Sequence, residues 1–223
     1  MVEGRGALIV VEGLDRAGKS TQCRLLAENL EKAGHKVKQM RFPNRTTPIG
    51  KSIDAYLKGE TEVEDHVIHL LFSANRWEAA AQIRKEVGEG NLVVIDRYYW
   101  SGVVYSAAKD NPALSLEWAR HADVGLPRPD LCVFLSIKPE EAAERGGFGS
   151  EKYETSRMQI RVRELFQELY KLSESTENVA TIDAEASQED VQSELLKLVV
   201  ACIEQVQLNK LDLGSVQLLP PTA

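Results

Sequence analysis

Five short runs of Val, Ile, Leu and other apolar residues alternate along the chain with longer stretches whose apolar positions recur every three or four residues. The short runs predict strands over 7–11, 37–42, 91–96, 131–137 and 178–183. The longer stretches predict helices over roughly 19–34, 47–58, 64–87, 99–110, 139–146, 154–175 and 188–207. Strands that alternate with helices pair in parallel through helical crossovers, so the expected fold is an α/β three-layer sandwich around one parallel sheet. In the stretch 64–87, Val67, Leu70, Leu71, Ala74, Glu78 and Ala81 fall within one arc at about 100° per residue. This mostly apolar arc is the expected core face, and Phe72 and Arg76 lie together on roughly the opposite side.

No internal repeat and no linker divides the chain, so residues 1–207 are expected to form a single domain. Gly125-Leu126-Pro127-Arg128-Pro129 reads as a proline-stiffened approach to the fourth strand. Residues 208–223, ending in Leu219-Pro220-Pro221-Thr222-Ala223, are expected to be an extension, either packed on the domain or mobile. The full length of 223 residues suits one domain with a substantial core. A net charge of −7 argues against a general nucleic-acid binder, which needs a basic face. Cys23, Cys132 and Cys202 are far apart and fall within predicted helices and a strand. They suggest neither a disulfide framework nor a zinc site, and a reducing compartment is the default. No apolar run reaches the roughly 20 residues of a membrane span. The first strand begins about six residues after Met1, which leaves no room for a removable targeting peptide, so cytosol or nucleus is expected and no membrane partner.

The turn between the first strand and the first helix carries the chemistry. Gly13-Leu14-Asp15-Arg16-Ala17-Gly18-Lys19-Ser20 fits the phosphate-binding pattern of a glycine, four residues, then Gly-Lys and Ser or Thr. It follows the buried run Ala7-Leu8-Ile9-Val10-Val11 and leads into an amphipathic helix from Thr21 with Leu25, Leu26 and Leu30. Glycines there let backbone N–H groups close around phosphate oxygens at a helix N-terminus. Lys19 is placed to reach β- and γ-phosphates, and Ser20 to ligate Mg2+. The expected ligand is a nucleoside triphosphate.

In an open parallel sheet, ligands lie outside the carboxyl ends of the strands. The second strand runs into Arg41-Phe42-Pro43-Asn44-Arg45, and the third ends in Asp96-Arg97-Tyr98. Asp96 is placed to hold Mg2+, directly or through water. Arg45 and Arg97 are placed to grip a second phosphate group as planar, permanently charged forks, although singly each arginine reads as a surface ion-pair partner. Two clamps imply a kinase whose acceptor itself carries phosphate. Such an acceptor needs no dedicated base, because a phosphate monoester (second pKa about 6) is largely dianionic at pH 7. Catalysis then rests on alignment and on cations, here Lys19, Arg16 and Mg2+, that neutralise charge on the transferring group.

Phe72 one turn from Arg76 fits a platform that stacks a base while the guanidinium donates to its edge. It fits equally a phenylalanine packed under another helix beside a solvated arginine. As a base reader, the pair would favour a ring carbonyl, as in thymine or uracil, over the amino group of cytosine. Residues 145–153, Arg-Gly-Gly-Phe-Gly-Ser-Glu-Lys-Tyr, read as a mobile lid over the triphosphate or as an ordinary connector; in a closed lid, Arg145 and Lys152 would meet phosphate or adenine. His66 and His69 are three apart on a helix but have no evident third metal ligand. Trp77, Trp100 and Trp118 read as core or interface residues.

Taken together, Gly13-x-Asp15-Arg16-x-Gly18-Lys19-Ser20-Thr21, Phe42-Pro43-x-Arg45, Leu71-Phe72-Ser73-Ala74-Asn75-Arg76-Trp77-Glu78 and Asp96-Arg97-Tyr98 resemble thymidylate kinase. The likeness continues through Ser101-Gly102-Val103, Gly125-Leu126-Pro127-x-Pro129-Asp130 and the lid ending in Tyr153-Glu154. It covers the chain up to about 185 and is strongest to the eukaryotic type with an arginine in the loop. The resemblance implies a P-loop nucleoside-monophosphate-kinase fold: a five-stranded parallel sheet with helices on both faces and a short lid. It implies the reaction ATP + dTMP → ADP + dTDP for dTTP synthesis and DNA replication, with Mg2+, in a homodimer. By the same resemblance, Gly13, Asp15, Arg16, Ala17, Gly18, Lys19, Ser20, Thr21 and Arg145 surround the ATP phosphates. Asp15 would hold the acceptor's 3′-hydroxyl, Arg16 the transferring phosphoryl, and Arg45 and Arg97 the dTMP phosphate. Phe72 would stack on thymine and Arg76 contact its O4. Tyr105 would crowd the sugar's 2′ position, and Gln159 would lie near the base through water. Phe42, Gly102 and Tyr153 complete the implied dTMP site. Arg16, Lys19, Asp96 and Arg97 form the implied catalytic set, and Ser20 with Asp96 the implied metal site. One position departs from the family pattern: the residue between Pro43 and Arg45 is usually acidic and here is Asn44, which supplies no charge to anchor an arginine.

Other readings fit less of the chain. Asn209-Lys210-Leu211-Asp212 matches a guanine-reading pattern, but it follows an amphipathic helix rather than a buried strand, and Asp96 lacks the glycine of a GTP switch. A kinase for another pyrimidine monophosphate, dUMP, UMP or CMP, is opposed only by Phe72, Arg76 and Tyr105. An inactive descendant is hard to reconcile with Lys19, Ser20, Asp96 and Arg97 all in place.

Overall fold

The apolar runs become β1 (Leu8–Gly13), β2 (Val37–Arg41), β3 (Leu92–Asp96), β4 (Leu131–Ser136) and β5 (Val179–Asp183) of a computed structural model. The structure describes residues 4–109, 111–145, 151–173 and 177–219. The strands form one wholly parallel sheet in the order β2-β3-β1-β4-β5. Parallel neighbours require crossovers, and these are supplied by α1 (Lys19–Lys32), α2 (Pro48–Leu57), α3 (Asp65–Gly88), α4 (Tyr99–Ala107), α5 (Leu116–His121), α6 (Pro139–Glu144), α7 (Ser156–Ser173) and α8 (Gln188–Leu208). One helical layer joins α1 to α8, and the other joins α3, α4 and α7. Every residue of β1 and β3 is buried, whereas the edge strands β2 and β5 keep exposed positions. Burial on both faces is why the central strands read as unbroken apolar runs.

The register brings three strand ends level. Val11 pairs with Asp96 on one side of β3, and Arg41 pairs with Asp96 on the other. The phosphate-binding loop, the segment after Arg41 and the turn at Arg97 therefore emerge side by side from one edge of the sheet.

Two elements differ from the sequence reading. Helix α5 is additional, and Ser115 caps it by accepting from the Trp118 N–H at 3.1 Å. The second difference is the buried face of α3. Ile68, Ala80, Ile83 and Val87 face the core together with Ser73, Asn75 and Arg76. The arc expected to be core points outward, with Val67 49 %, Leu70 50 % and its neighbour Trp77 42 % exposed. Apolar periodicity locates a stripe but not what covers it, and the inward stripe is disguised by the polar residues it carries.

The segment after α8 lies on the domain. Val216 is fully buried, and Ser215 forms an antiparallel bridge with Pro127. Arg5 holds the start of this segment, donating to the carbonyls of Leu211 at 2.5 Å and Asp212 at 3.2 Å. Residues 146–150 of the expected lid and 220–223 of the extension lie outside the described residues.

Candidate active site

The loop after β1 is shaped by its backbone. Gly13 adopts φ 148°, and a Cβ there would sit 2.7 Å from the Leu135 carbonyl oxygen; Gly18 adopts φ 91°. Both positions exclude a side chain for conformational reasons. Gly18 is also the N-cap of α1, with no capping side chain and no acidic residue in the first turn. By contrast, Thr47, Ser115 and Ser187 cap α2, α5 and α8 with their hydroxyls. An uncapped helix start inside a glycine loop leaves its N–H donors for an anion. Ala17 lies in this loop, its N–H donating to the Leu14 carbonyl at 3.3 Å, and half-buried Thr21 follows in the first turn. Lys19 Nζ folds back to the Leu14 carbonyl at 2.5 Å. Burial pushes the Lys19 pKa down to about 8, with the charge of Arg97 acting in the same direction and Asp96, Asp15 and Glu12 opposing it. Ser20 Oγ donates to Asp96 Oδ2 at 2.5 Å.

Beside the loop opens a cavity of about 410 Å³. Asp15, Arg16 and Ser20 line it from the loop, and Phe42 and Arg45 from the segment after β2. Phe72 and Arg76 line it from α3, Arg97, Gly102 and Tyr105 from the β3–α4 region, and Tyr153 from the residues before α7. The structure thus gathers all the expected acceptor residues around one space, except Gln159.

Asp15 and Arg97 form the hub of that space. Arg97, at φ 65°, places Nη2 2.6 Å from Asp15 Oδ1, while Nη1 reaches Ser101 Oγ at 3.0 Å. Asp15 Oδ2 accepts from Tyr105 Oη at 2.8 Å and from Gln159 Nε2 at 2.9 Å. Burial works against the Asp15 charge, but Arg97, Lys19 and these two hydrogen bonds outweigh it and lower the pKa. Gln159 is buried behind Asp15, and its Oε1 accepts from the Asp15 N–H at 3.2 Å. The geometry places Gln159 on the carboxylate rather than on the cavity wall.

Arg45 and Arg16 carry protein counterions. Arg45 pairs with Asp54 and Glu151, each at 2.7 Å, and Arg16, at φ 64°, pairs with Glu154 at 3.1 Å. Arg145 reaches over the loop, with Nη1 3.4 Å from the Arg16 carbonyl and Nη2 donating to the Ala184 carbonyl at 2.6 Å. Lys152 pairs with Glu62 at 2.7 Å, away from the loop. Asn44 turns its side-chain oxygen to Thr46, accepting from Oγ1 at 2.7 Å and from N at 3.1 Å.

Three further buried residues support this arrangement, and the sequence reading gave none of them this role. Glu12, fully buried on β1, accepts from the N–H groups of Tyr98 and Ser101 at 2.8 and 3.0 Å and from Ser101 Oγ at 2.5 Å. Asp123, also fully buried, holds Arg76 through two bonds, Nε to Oδ1 at 2.9 Å and Nη2 to Oδ2 at 2.8 Å. His69 meets Ser106 Oγ through Nδ1 at 2.8 Å, and burial, followed by the Arg76 charge, pushes its pKa down to about 4. For Glu12, a charged residue directly after an apolar run is the signal that could have marked it. Among the described residues, no group of three potential metal ligands involves His66 and His69.

The family model of thymidylate kinase matches residues 11–195. The chain belongs to the thymidylate kinase family. It is 49 % identical over 198 residues to the thymidylate kinase of Schizosaccharomyces pombe, covering 88 % of this chain and 93 % of that one. It is 48 % identical over 195 residues to that of Homo sapiens, covering 87 % and 90 %. The solved structure of the thymidylate kinase from Candida albicans superposes with a TM-score of 0.82 at 34 % identity, covering 97 % of this chain and 99 % of that one. Members of this family are ATP-dependent nucleoside-monophosphate kinases, and the five-stranded parallel sheet with its covering helices is the thymidylate kinase fold.

Proposed function

We propose that this chain transfers the γ-phosphoryl group of ATP to the 5′-phosphate of dTMP, giving ADP and dTDP for dTTP synthesis and DNA replication, with Mg2+ and as a homodimer. The observation that carries this reading is a cavity, in a chain of this family, lined by loop residues on one side and by Arg45, Arg97, Phe72 and Arg76 on the other. The loop N–H groups and Lys19 take the triphosphate. Arg45 and Arg97 take the acceptor phosphate, which displaces Glu151 from Arg45. Phe72 stacks on the base, and Arg76, oriented by Asp123, donates to a ring carbonyl; Gly102 leaves room for it, since a Cβ there would lie 2.5 Å from Arg76 Nη2. Tyr105 and Asp15 face the sugar, Gln159 fixes Asp15, and Phe42 and Tyr153 close the walls.

In the reaction, an oxygen of the acceptor phosphate attacks the γ-phosphorus and the bond to the bridging β-oxygen breaks, with ADP as leaving group. Arg16, in the loop of the arginine-bearing type, and Lys19 neutralise the charge that gathers on the transferring group. Ser20 and Asp96 suit a magnesium ion: both offer oxygen, and Asp96 Oδ1 is buried without a hydrogen-bond partner among the described residues. Bound there, the ion would supply positive charge to the β- and γ-phosphate oxygens. The outward face of α3, with Val67, Leu70 and Trp77, supports the second copy of the chain as its cover. Three buried thiols, Cys23, Cys132 and Cys202, support a reducing compartment, cytosol or nucleus.

The test is ADP release from Mg-ATP with dTMP, dUMP, dCMP, UMP, AMP and thymidine offered in parallel. Turnover is expected on dTMP, weaker on dUMP and negligible on the others. Efficient turnover on UMP or CMP would overturn the roles of Arg76 and Tyr105. Arg76→Ala is expected to lower kcat/KM for dTMP by about 10–100-fold, the worth of a lost charged hydrogen bond, and to leave the KM for ATP within about twofold. Equal damage to both substrates would remove the base-reading role.

A further inference from the structure

We propose that Asp123 is a positioning residue for Arg76, and that the C-terminal strap 214–217 sets the turn on which Asp123 sits, so that the chain's last segment helps to decide which base is read. The inference rests on the base-reading role given to Arg76 above.

Asp123 lies in the turn that follows α5, and that turn is held from two sides. From α3, Ser73 Oγ stands 2.8 Å from Asp123 Oδ1 and 2.9 Å from the Ala122 carbonyl. Trp77 Nε1 donates to the same carbonyl at 2.9 Å, and Arg84 Nη2 donates to the Gly125 carbonyl at 2.6 Å. From the strap, the Val216 carbonyl accepts from the Gly125 N–H at 2.9 Å, and the Val216 N–H donates to the Leu126 carbonyl at 2.8 Å. The Arg128 N–H donates to the Gly214 carbonyl at 2.9 Å, and Arg120 Nε donates to the Gln217 carbonyl at 2.9 Å. The strap's bonds fall on Arg120, Gly125, Leu126 and Arg128, on either side of Asp123, so without them the turn that carries Asp123 keeps only its tethers to α3 and holds the carboxylate less firmly.

The consequence is geometric. A guanidinium bonded through Nε and Nη2 to one carboxylate has its plane fixed, and Arg76 is 2 % exposed with Asp123 at 0 %. Its orientation in the cavity is therefore Asp123's orientation. A ring carbonyl is distinguished from an amino group only by a donor held in place, so a loosened Asp123 should cost selectivity as well as affinity.

Steady-state kinetics of Asp123→Asn, Ser73→Ala and Val216→Pro test this, each alone and in the Arg76→Ala background, with dTMP and dCMP as acceptors. Ser73→Ala removes one hydroxyl from a helix and should fold whatever becomes of the others. Val216→Pro deletes the N–H that bonds to Leu126; should it not fold, Val216→Ala, which keeps that N–H but removes the buried side chain that anchors the strap, replaces it. Asp123→Asn is expected to raise the KM for dTMP about tenfold, with Ser73→Ala and Val216→Pro smaller in the same direction. The KM for ATP should stay within about twofold, and the preference for dTMP over dCMP should narrow. In the Arg76→Ala background none of the three should have a further effect on dTMP. Unchanged dTMP kinetics in Asp123→Asn and Ser73→Ala, while Arg76→Ala is impaired, would overturn the positioning role alone. An effect in those two but none at position 216 would overturn the strap's part. An unimpaired Arg76→Ala would overturn the base-reading role itself.

Discussion

Lys19 is a buried amine whose charge the free protein holds only weakly. Its pKa is pushed down to about 8, by burial first and by Arg97 second. A triphosphate favours the protonated form, so the bound pKa must be higher than the free one. Above pH 8 the free protein must then take up a proton to bind, and affinity falls as pH rises through that value. Between pH 8 and pH 9, ATP affinity is expected to drop about fivefold, the fall in the protonated fraction of such a group. Titration calorimetry in two buffers of different ionisation enthalpy measures both the affinity and the proton uptake. Lys19→Arg, whose guanidinium stays charged, should abolish the dependence; an affinity flat from pH 7.5 to pH 9.5 in the natural chain would contradict the account.

Between elements, the decisive joint is β1 to α4. Helix α4 has no capping side chain of its own at Tyr98. Glu12 does that work from the neighbouring strand, and through Ser101 it also faces Arg97. Glu12→Ala would leave two buried N–H groups without an acceptor and the Ser101 hydroxyl with only its bond from Arg97, a cost of roughly 3 kcal/mol or more. The urea midpoint should fall accordingly and activity with it, because the Arg97 turn loses its anchor. Glu12→Gln keeps one acceptor and should lie between. A midpoint unchanged in Glu12→Ala would mean that the N–H groups find other partners.

For the whole molecule, the outward face of α3 is what bears on the proposed homodimer. Leu70 and Val67 are about half exposed on a helix whose other face is buried, and an apolar stripe of this kind marks an interface more often than a free surface. Leu70→Lys is expected to halve the mass seen by sedimentation while the thermal transition of each chain remains cooperative. Sedimentation of the natural chain as a monomer would remove the homodimer from the proposal.

Among the described residues, the five strands, seven of the eight helices and the phosphate-binding loop were legible in the sequence, because each depends on neighbours within a few positions: a run, a period of three or four, a spacing of glycines. The parallel sheet followed from their alternation, and that in turn put Arg45, Asp96 and Arg97 on one edge. What belonged to tertiary structure alone was every choice between faces and every choice of partner. The outward turn of Leu70, the Arg76 bond to Asp123 across 47 residues, the Glu12 bond to Ser101 across 89 and the Arg45 bond to Glu151 across 106 leave no local trace. A buried charge is stable only with a specific partner, and chain topology, not local pattern, determines which residue that partner is.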